Sequence, residues 1–69
     1  MKFNVYGKFK LEVTREGGHW VVYELGDGTR ARQNDIVIPS SLGESEIARY
    51  LDDLYHEASG PGDNVSRIE

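Results

Sequence analysis

The chain contains no cysteine. Disulfide bonds, zinc sites built on thiolates and cysteine nucleophiles are therefore excluded. The absence does not identify a compartment, because a protein without cysteine fits oxidising and reducing surroundings equally well. Stability must come from burial and hydrogen bonding in 69 residues, which is enough chain for one domain with one core.

Long apolar runs are also missing. No window approaches the ~20 apolar residues that a membrane-spanning helix requires, and Met1-Lys2 leads directly into residues that alternate in polarity. This start does not have the apolar stretch of a secretion signal. We therefore expect no membrane partner and a cytoplasmic location.

The chain has no excess of positive charge. Its formal net charge is −4, and residues 1–43 carry six Lys/Arg against five acids, whereas residues 44–69 carry two against seven. Nucleic-acid affinity depends on neutralising phosphates, so this balance disfavours a general nucleic-acid binder unless the cations collect on one face.

Strict alternation is the clearest pattern that is present. Every second residue from position 3 to position 13 is apolar or glycine, with polar residues or Tyr6 between them. This period of two is typical of an extended chain with one buried face. One strand of that length would be more than double the usual one. The pattern therefore predicts strands near 2–6 and 8–14, with a bend or bulge at Gly7.

Turn residues divide the rest of the sheet region. The sequence Glu-Gly-Gly at 16–18 predicts a hairpin into a β-rich strand over 19–25. A second glycine-rich turn at 26–28 leads to a shorter, more polar strand at 29–33. Residues 36–38 read as a short extended segment that the following proline ends.

The length of the first hairpin loop decides which face of the sheet is buried. A three-residue loop puts three apolar pairs on one face: Val13 with Val21, Leu11 with Tyr23, and Phe9 with Leu25. Trp20 and Val22 then lie on the other face. An even-length loop turns Trp20 and Val22 inward instead and exposes more apolar surface, so we adopt the first register.

Two starting points compete for the helix that follows. Ser41 with Glu44 fits a capping box, and Gly43 as the N-cap makes a hydrophobic staple of Leu42 and Ile47. Either start lies within two residues of Gly43.

A helix is predicted from about 44 to 58. Its apolar residues follow a spacing of 3.6 and form one stripe: Ile47, Tyr50, Leu51, Leu54, Tyr55 and Ala58. The Ser-Gly-Pro-Gly sequence at 59–62 ends it. We expect a single α+β domain over 1–60, in which this C-terminal helix packs on one face of a three- to four-stranded antiparallel meander. Residues 61–69 are expected to form a disordered tail.

Three stretches carry a resemblance to known proteins. KFNVYG at 2–7, HWVVY at 19–23 and YLDDL at 50–54 resemble a group of short bacterial proteins without an assigned activity, which implies a bacterial, cytosolic context. The segment EGGHWV at 16–21 resembles the first hairpin of HicB-type antitoxins. The element order is similar to that of MbtH-like proteins, which bind adenylation domains, but this is an analogy of fold alone.

An aromatic patch is the first candidate site. On the adopted register Trp20 and Val22, with Tyr6, form an apolar area on the sheet face away from the helix. Such a patch with a polar rim suits a protein partner or a second copy of the chain. The alternative interpretation places Trp20 in the core, either through the other register or beneath residues 34–42.

A basic stripe is the second candidate. Lys8 and Lys10, and likewise Arg30 and Arg32, are two residues apart, so each pair shares a face of its strand. On neighbouring strands the four could contact nucleic acid. Acidic residues lie among them, however, and cross-strand ion pairing such as Lys10 with Glu24 is the simpler account.

No pattern in the sequence indicates catalysis or metal binding. Asp52 and His56 are four residues apart on the predicted helix, but two ligands do not make a stable metal site. Serines and histidines occur without a nucleophile elbow, a phosphate loop or a metalloprotease motif. We therefore expect neither an enzyme nor a cofactor.

These observations favour a small protein-binding accessory module that acts through an exposed sheet face. Its partner would be an unidentified protein or a second copy of the chain. The alternative is an antitoxin-like or nucleic-acid-linked regulator that uses the basic strand residues.

Overall fold

The computed structural model describes residues 1–58 and 60–69. Within these residues the chain forms five strands, one α-helix and a 3-10 turn at His56–Ala58. The strands are β1 (Lys2–Val5), β2 (Phe9–Glu16), β3 (His19–Leu25), β4 (Arg30–Arg32) and β5 (Val65–Arg67), and the helix is α1 (Glu44–Leu54). The expected α+β class and antiparallel sheet are confirmed, but the sheet has five strands rather than three or four.

The strands are arranged in the order β4-β3-β2-β1-β5, and every neighbouring pair is antiparallel. The first four strands form the predicted meander. β5 returns from the C-terminal end of the chain to pair with β1, so residues far apart in sequence lie side by side.

The segment 61–69 therefore differs from the expected disordered tail. Val65 pairs with Val5, and the N–H of Tyr6 donates to the carbonyl of Asn64 at 3.0 Å. The N–H of Lys2 donates to the carbonyl of Glu69 at 3.0 Å. Main-chain hydrogen bonds order this segment, and a reading based on its low apolar content could not detect them.

The junction of β1 and β2 is a complete reversal rather than a bend. Tyr6 and Gly7 both have positive φ, 56° and 70°, and the N–H of Lys8 donates to the carbonyl of Val5 at 2.9 Å. β1 therefore lies antiparallel beside β2, with Phe3 opposite Leu11. The alternation over 3–13 belongs to two paired strands that share one buried face.

The β2–β3 hairpin has a two-residue turn. Gly17 and Gly18 have φ values of 58° and 80°, which is the combination that a tight two-residue turn of this hairpin type requires. Glu16 consequently lies opposite His19, and Val13 lies opposite Val22. The expected three-residue loop and the register built on it are wrong, because glycine at both positions removes the steric barrier to the shorter turn.

This register divides the sheet into two faces. Cross-strand partners share a face, so Leu11, Val13 and Val22 point to the inner sheet face, where they are at most 1% exposed. Tyr23 and Leu25 point to the opposite, outer sheet face, where both are half-buried. Residues 36–38 do not join the sheet; there Ile38 enters the core and Val37 is 72% exposed.

Helix α1 begins at the second of the two predicted starts. Gly43 is the N-cap, and its N–H donates to the Glu46 carboxylate at 2.8 Å. Leu42 packs against the core cluster that contains Ile47, which agrees with the predicted staple. The helix ends at Leu54 rather than at 58, and the Tyr55 ring that follows packs edge-on against Phe9 with centroids 5.2 Å apart.

One buried cluster joins the helix to the inner sheet face. Ile47 and Leu51 are fully buried, and they lie in one core with Phe3, Val5, Tyr6, Leu11, Val13, Val22 and Ile38. Leu54 is 44% exposed, so its predicted place in the buried stripe is wrong. The early end of the helix leaves this residue at the margin of the core.

Leu51→Ala should lower the free energy of unfolding by about 2–5 kcal/mol, the usual range for removing a buried leucine side chain. Leu54→Ala is the matched control, and because of its exposure we expect a loss of less than about 1 kcal/mol. Urea unfolding followed by circular dichroism measures both values. Equal losses would contradict the observed position of the helix.

Candidate functional site

The outer sheet face is the broad surface that the core leaves at the exterior. The register assigns it these residues: Lys2, Asn4, Lys10, Glu12, Thr14, Glu16, His19, Val21, Tyr23, Leu25, Arg30, Arg32 and Ser66. Helix α1 contributes to the core on the inner side, and Lys10, Arg30 and Arg32 are exposed. This face is therefore a candidate binding surface.

Arg30 lies across the middle of the outer sheet face. Its guanidinium carbon is 3.7 Å from the centre of the Tyr23 ring, and its Nε is 2.8 Å from Glu12 Oε1. The side chain thus reaches from β4 over β3 to β2. An arginine stacked on an aromatic ring and paired with a carboxylate is held in one position, which reduces the entropy lost when it binds a further group.

Glu16 accepts two hydroxyl hydrogen bonds at the hairpin end of the same face. Thr14 Oγ1 donates to Glu16 Oε2 at 2.6 Å, and the Tyr23 hydroxyl donates to the same oxygen at 2.8 Å. The hydrogen bond from Thr14, and then that from Tyr23, lowers the pKa of Glu16, because both favour the ionised carboxylate. The bond to Glu16 in turn raises the pKa of Tyr23.

The outer sheet face is richer in cations than the chain as a whole. Its strands carry four, Lys2, Lys10, Arg30 and Arg32, against the two carboxylates of Glu12 and Glu16. A third carboxylate, that of Glu69, lies 3.3 Å from Lys2 Nζ, which leaves a surplus of one cation in a chain whose net charge is −4. The first turn of α1 is acidic, with Glu44 and Glu46. The first turn of α1 therefore carries charge of the opposite sign to the surplus on the outer sheet face.

The predicted basic stripe is present in part. Lys10, Arg30 and Arg32 share the outer sheet face, although β3 separates β2 from β4. Lys8 lies in the turn before β2 and not on a strand. The suggested ion pair of Lys10 with Glu24 is wrong, because Glu24 lies opposite Leu11 on the other face.

The predicted aromatic patch is not on the outer sheet face. Val22 is 1% exposed and belongs to the core, and Trp20 is half-buried against it. The Trp20 Nε1–H donates to the carbonyl of Leu42 at 2.9 Å, and the Arg15 guanidinium lies 4.5 Å from the centre of its ring. The expected exposure of Trp20 and Val22 followed from the three-residue loop. The two-residue turn shifts the register by one residue and places both on the inner sheet face.

Tyr6, the third residue of that patch, is also buried. It is 7% exposed, and its hydroxyl donates to Asp52 Oδ1 at 2.6 Å and lies 3.0 Å from the Asp52 carbonyl oxygen. Burial, together with the hydrogen bond to Asp52, raises the pKa of Tyr6 to about 12. The contact joins a turn residue in the left-handed region, φ 56°, to the helix.

The histidine and carboxylate side chains lie in separate places. Ser40 Oγ lies 3.4 Å from His19 Nδ1 at an exposed position, and Asp52 accepts the bond from Tyr6. Among residues 1–58 and 60–69, no group of three or more His, Asp or Glu side chains is arranged to hold a metal ion.

Comparison with known protein families gives a match over the whole chain. The family described as a domain of unknown function (DUF7661) matches the chain over residues 1–69. Comparison with curated proteins and with solved structures found no match. In the described part of the chain, no helix has both the length and the apolar character needed to cross a membrane.

Tyr6→Phe should show whether the bond to Asp52 stabilises the fold. Because the pKa of Tyr6 is about 12 in the folded state and 10.0 as an ordinary tyrosine, the stabilisation is complete below pH 10 and is lost as the pH rises towards 12. The deficit of Tyr6→Phe relative to wild type in urea unfolding should therefore be largest at neutral pH and shrink above pH 10. A deficit that does not change with pH would contradict this.

Proposed function

The chain belongs to the DUF7661 family, and for it we propose the role of a small protein-binding accessory module. It engages an acidic region of a partner protein through the outer sheet face. The contact is non-covalent: partner carboxylates meet the arginines and Lys10, and the half-buried Tyr23 supplies apolar area.

The surplus of cations on the outer sheet face is the observation that carries this proposal. In a chain whose net charge is −4, the surplus of cations makes this face the more favourable one for an acidic partner. Complementary potentials of this kind guide encounter and fix orientation more than they add affinity. The acidic first turn of α1 lies on the inner side of the sheet, and it disfavours binding of an acidic partner on that side.

The residue types on this face support protein binding. Tyrosine and arginine are enriched among the residues that contribute most to protein interfaces. Tyr23 and Arg30 already contact each other, with the guanidinium carbon 3.7 Å from the ring centre. Glu12 and Glu16 fix Arg30 and the Tyr23 hydroxyl in place, so little ordering remains to be done when a partner binds.

An antitoxin-like, nucleic-acid-linked role is the second candidate. Lys10, Arg30 and Arg32 share a face with Tyr23. Protein surfaces that bind single-stranded nucleic acid combine basic side chains with aromatic rings in this way. The carboxylates of Glu12 and Glu16 stand on the same face and oppose phosphates, so we rank protein binding first. Affinity for single-stranded nucleic acid that falls steeply with salt would favour the second candidate.

Affinity capture tests the proposal. The tagged full chain is incubated with nuclease-treated lysate of its native host, in parallel with Arg32→Glu and with Arg49→Glu. Arg32 is exposed on the outer sheet face and Arg49 is exposed on α1, so the two variants change the net charge equally on different surfaces. We expect one protein to co-purify with wild type and Arg49→Glu and to be absent with Arg32→Glu.

The variants must first be shown to fold, by circular dichroism. Loss of the captured protein with both variants would indicate a general charge effect and contradict the proposal. Retention with both would place the contact elsewhere on the molecule.

A further inference from the structure

We infer that the acidic region of the partner binds as an extended segment, which pairs with β4 and adds a further antiparallel strand to the sheet. This inference rests on the proposed function, because it takes from it the acidic character of the partner. It adds the conformation of the bound segment and the atoms of this chain that hold it.

β4 is an edge of the sheet formed by the described residues, and its main chain is oriented for a further partner. It pairs only with β3 in the strand order. The N–H of Gln33 donates to the carbonyl of Val22 at 2.8 Å, so alternate residues along this stretch bond towards β3. Gln33 and Ala31 belong to that set. The N–H and C=O groups of Arg30 and Arg32 therefore point away from β3, to the free edge.

The side chains at this edge select an acidic strand. Arg30 and Arg32 flank Ala31 and both lie on the outer sheet face. The Arg30 guanidinium turns away from the edge, over Tyr23 to Glu12, so Arg32 contributes most to this selection. In an added antiparallel strand, the two residues directly opposite these arginines would lie on the same face. Opposite charges at such positions stabilise the pair, and like charges destabilise it. A segment with a carboxylate at every second residue can therefore bond the free N–H and C=O groups of β4 and also place its carboxylates opposite the arginine side chains.

A second copy of this chain does not fit the same edge. If β4 paired with itself about Ala31, Arg30 of one copy would lie opposite Arg32 of the other, and the reverse pair would repeat the contact. Two pairs of like charges would then lie directly opposite each other, which destabilises the pairing. Charged edge residues of this kind are a known protection against self-pairing.

The opposite edge of the sheet is less suited to strand addition. β5 lies beside helix α1, and Arg67 Nη2 is 3.5 Å from Glu44 Oε1 on that helix. Both arginines of β4 are exposed. At its C-terminal end, Arg32 also borders a cavity of about 140 Å³ whose wall includes Val37, 72% exposed. An apolar residue of the added strand can contact that wall.

The test uses a synthetic, end-blocked peptide of alternating glutamate and valine, with a dye for fluorescence anisotropy. The full chain should bind it more tightly than the matching peptide of lysine and valine. Arg32→Gln should weaken binding by about two- to fivefold, the scale of one exposed charge pair. Arg32→Pro should weaken it by about a further tenfold, because proline removes an N–H that points to the free edge and leaves the bonds to β3 in place.

Methylation of the peptide nitrogens gives the same answer without altering the protein. In the proposed arrangement the glutamate N–H groups point to β4 and the valine N–H groups point away. N-methylation of the glutamates should therefore abolish binding, and N-methylation of the valines should leave it within about twofold of the parent peptide. This pair of peptides decides the question even if Arg32→Pro does not fold.

Three results would overturn the inference. Equal binding of both N-methylated peptides would exclude strand addition, and the outer sheet face would remain the proposed surface, judged by the capture experiment. Equal affinity for the glutamate and the lysine peptides would show that the edge does not select an acidic segment. Sedimentation showing a wild-type dimer that Arg32→Pro dissociates would assign the edge to a second copy of the chain.

Discussion

The two-residue turn at Gly17-Gly18 is the constraint on which the rest of the structure depends. Both glycines have positive φ, and the even length of the turn places Val13 opposite Val22. Because side chains alternate along a strand, a slip of one residue would exchange the two faces of β3. The burial of Trp20 beneath Leu42 and the outward position of Tyr23 both follow from this one geometry.

The same register separates charge as well as polarity. Inward-facing apolar residues of the sheet meet Ile47 and Leu51 in one core, while the outer sheet face collects four cations and a tyrosine. Most of the remaining acids lie in the helical half of the sequence. A protein of this size has little room for an enclosed pocket, and a flat face with a charge opposite to its surroundings is the feature from which binding specificity can be built.

The local patterns of the sequence predicted the elements but not how they meet. Alternation over 3–13 identified the strands, and Gly43 was one of the two predicted helix starts; the structure selects it through the bond to Glu46. The Glu-Gly-Gly turn fits loops of two and three residues, and counting exposed apolar surface favoured the wrong one because it treated Tyr23 as purely apolar. In the structure its hydroxyl bonds Glu16 and its ring lies under Arg30. β5 was missed for a different reason, since main-chain pairing leaves no trace in composition.

The register itself can be measured directly by nuclear magnetic resonance. In an antiparallel pair, the α-protons of residues that are opposite each other without exchanging hydrogen bonds come closest together. The structure predicts strong α-proton cross-peaks between Val13 and Val22 and between Arg15 and Trp20. A strong cross-peak between Thr14 and Trp20 instead would contradict the account. In the register of a three-residue loop these two residues are opposite without exchanging hydrogen bonds, and that register would return Trp20 to the outer sheet face and remove Tyr23 from it.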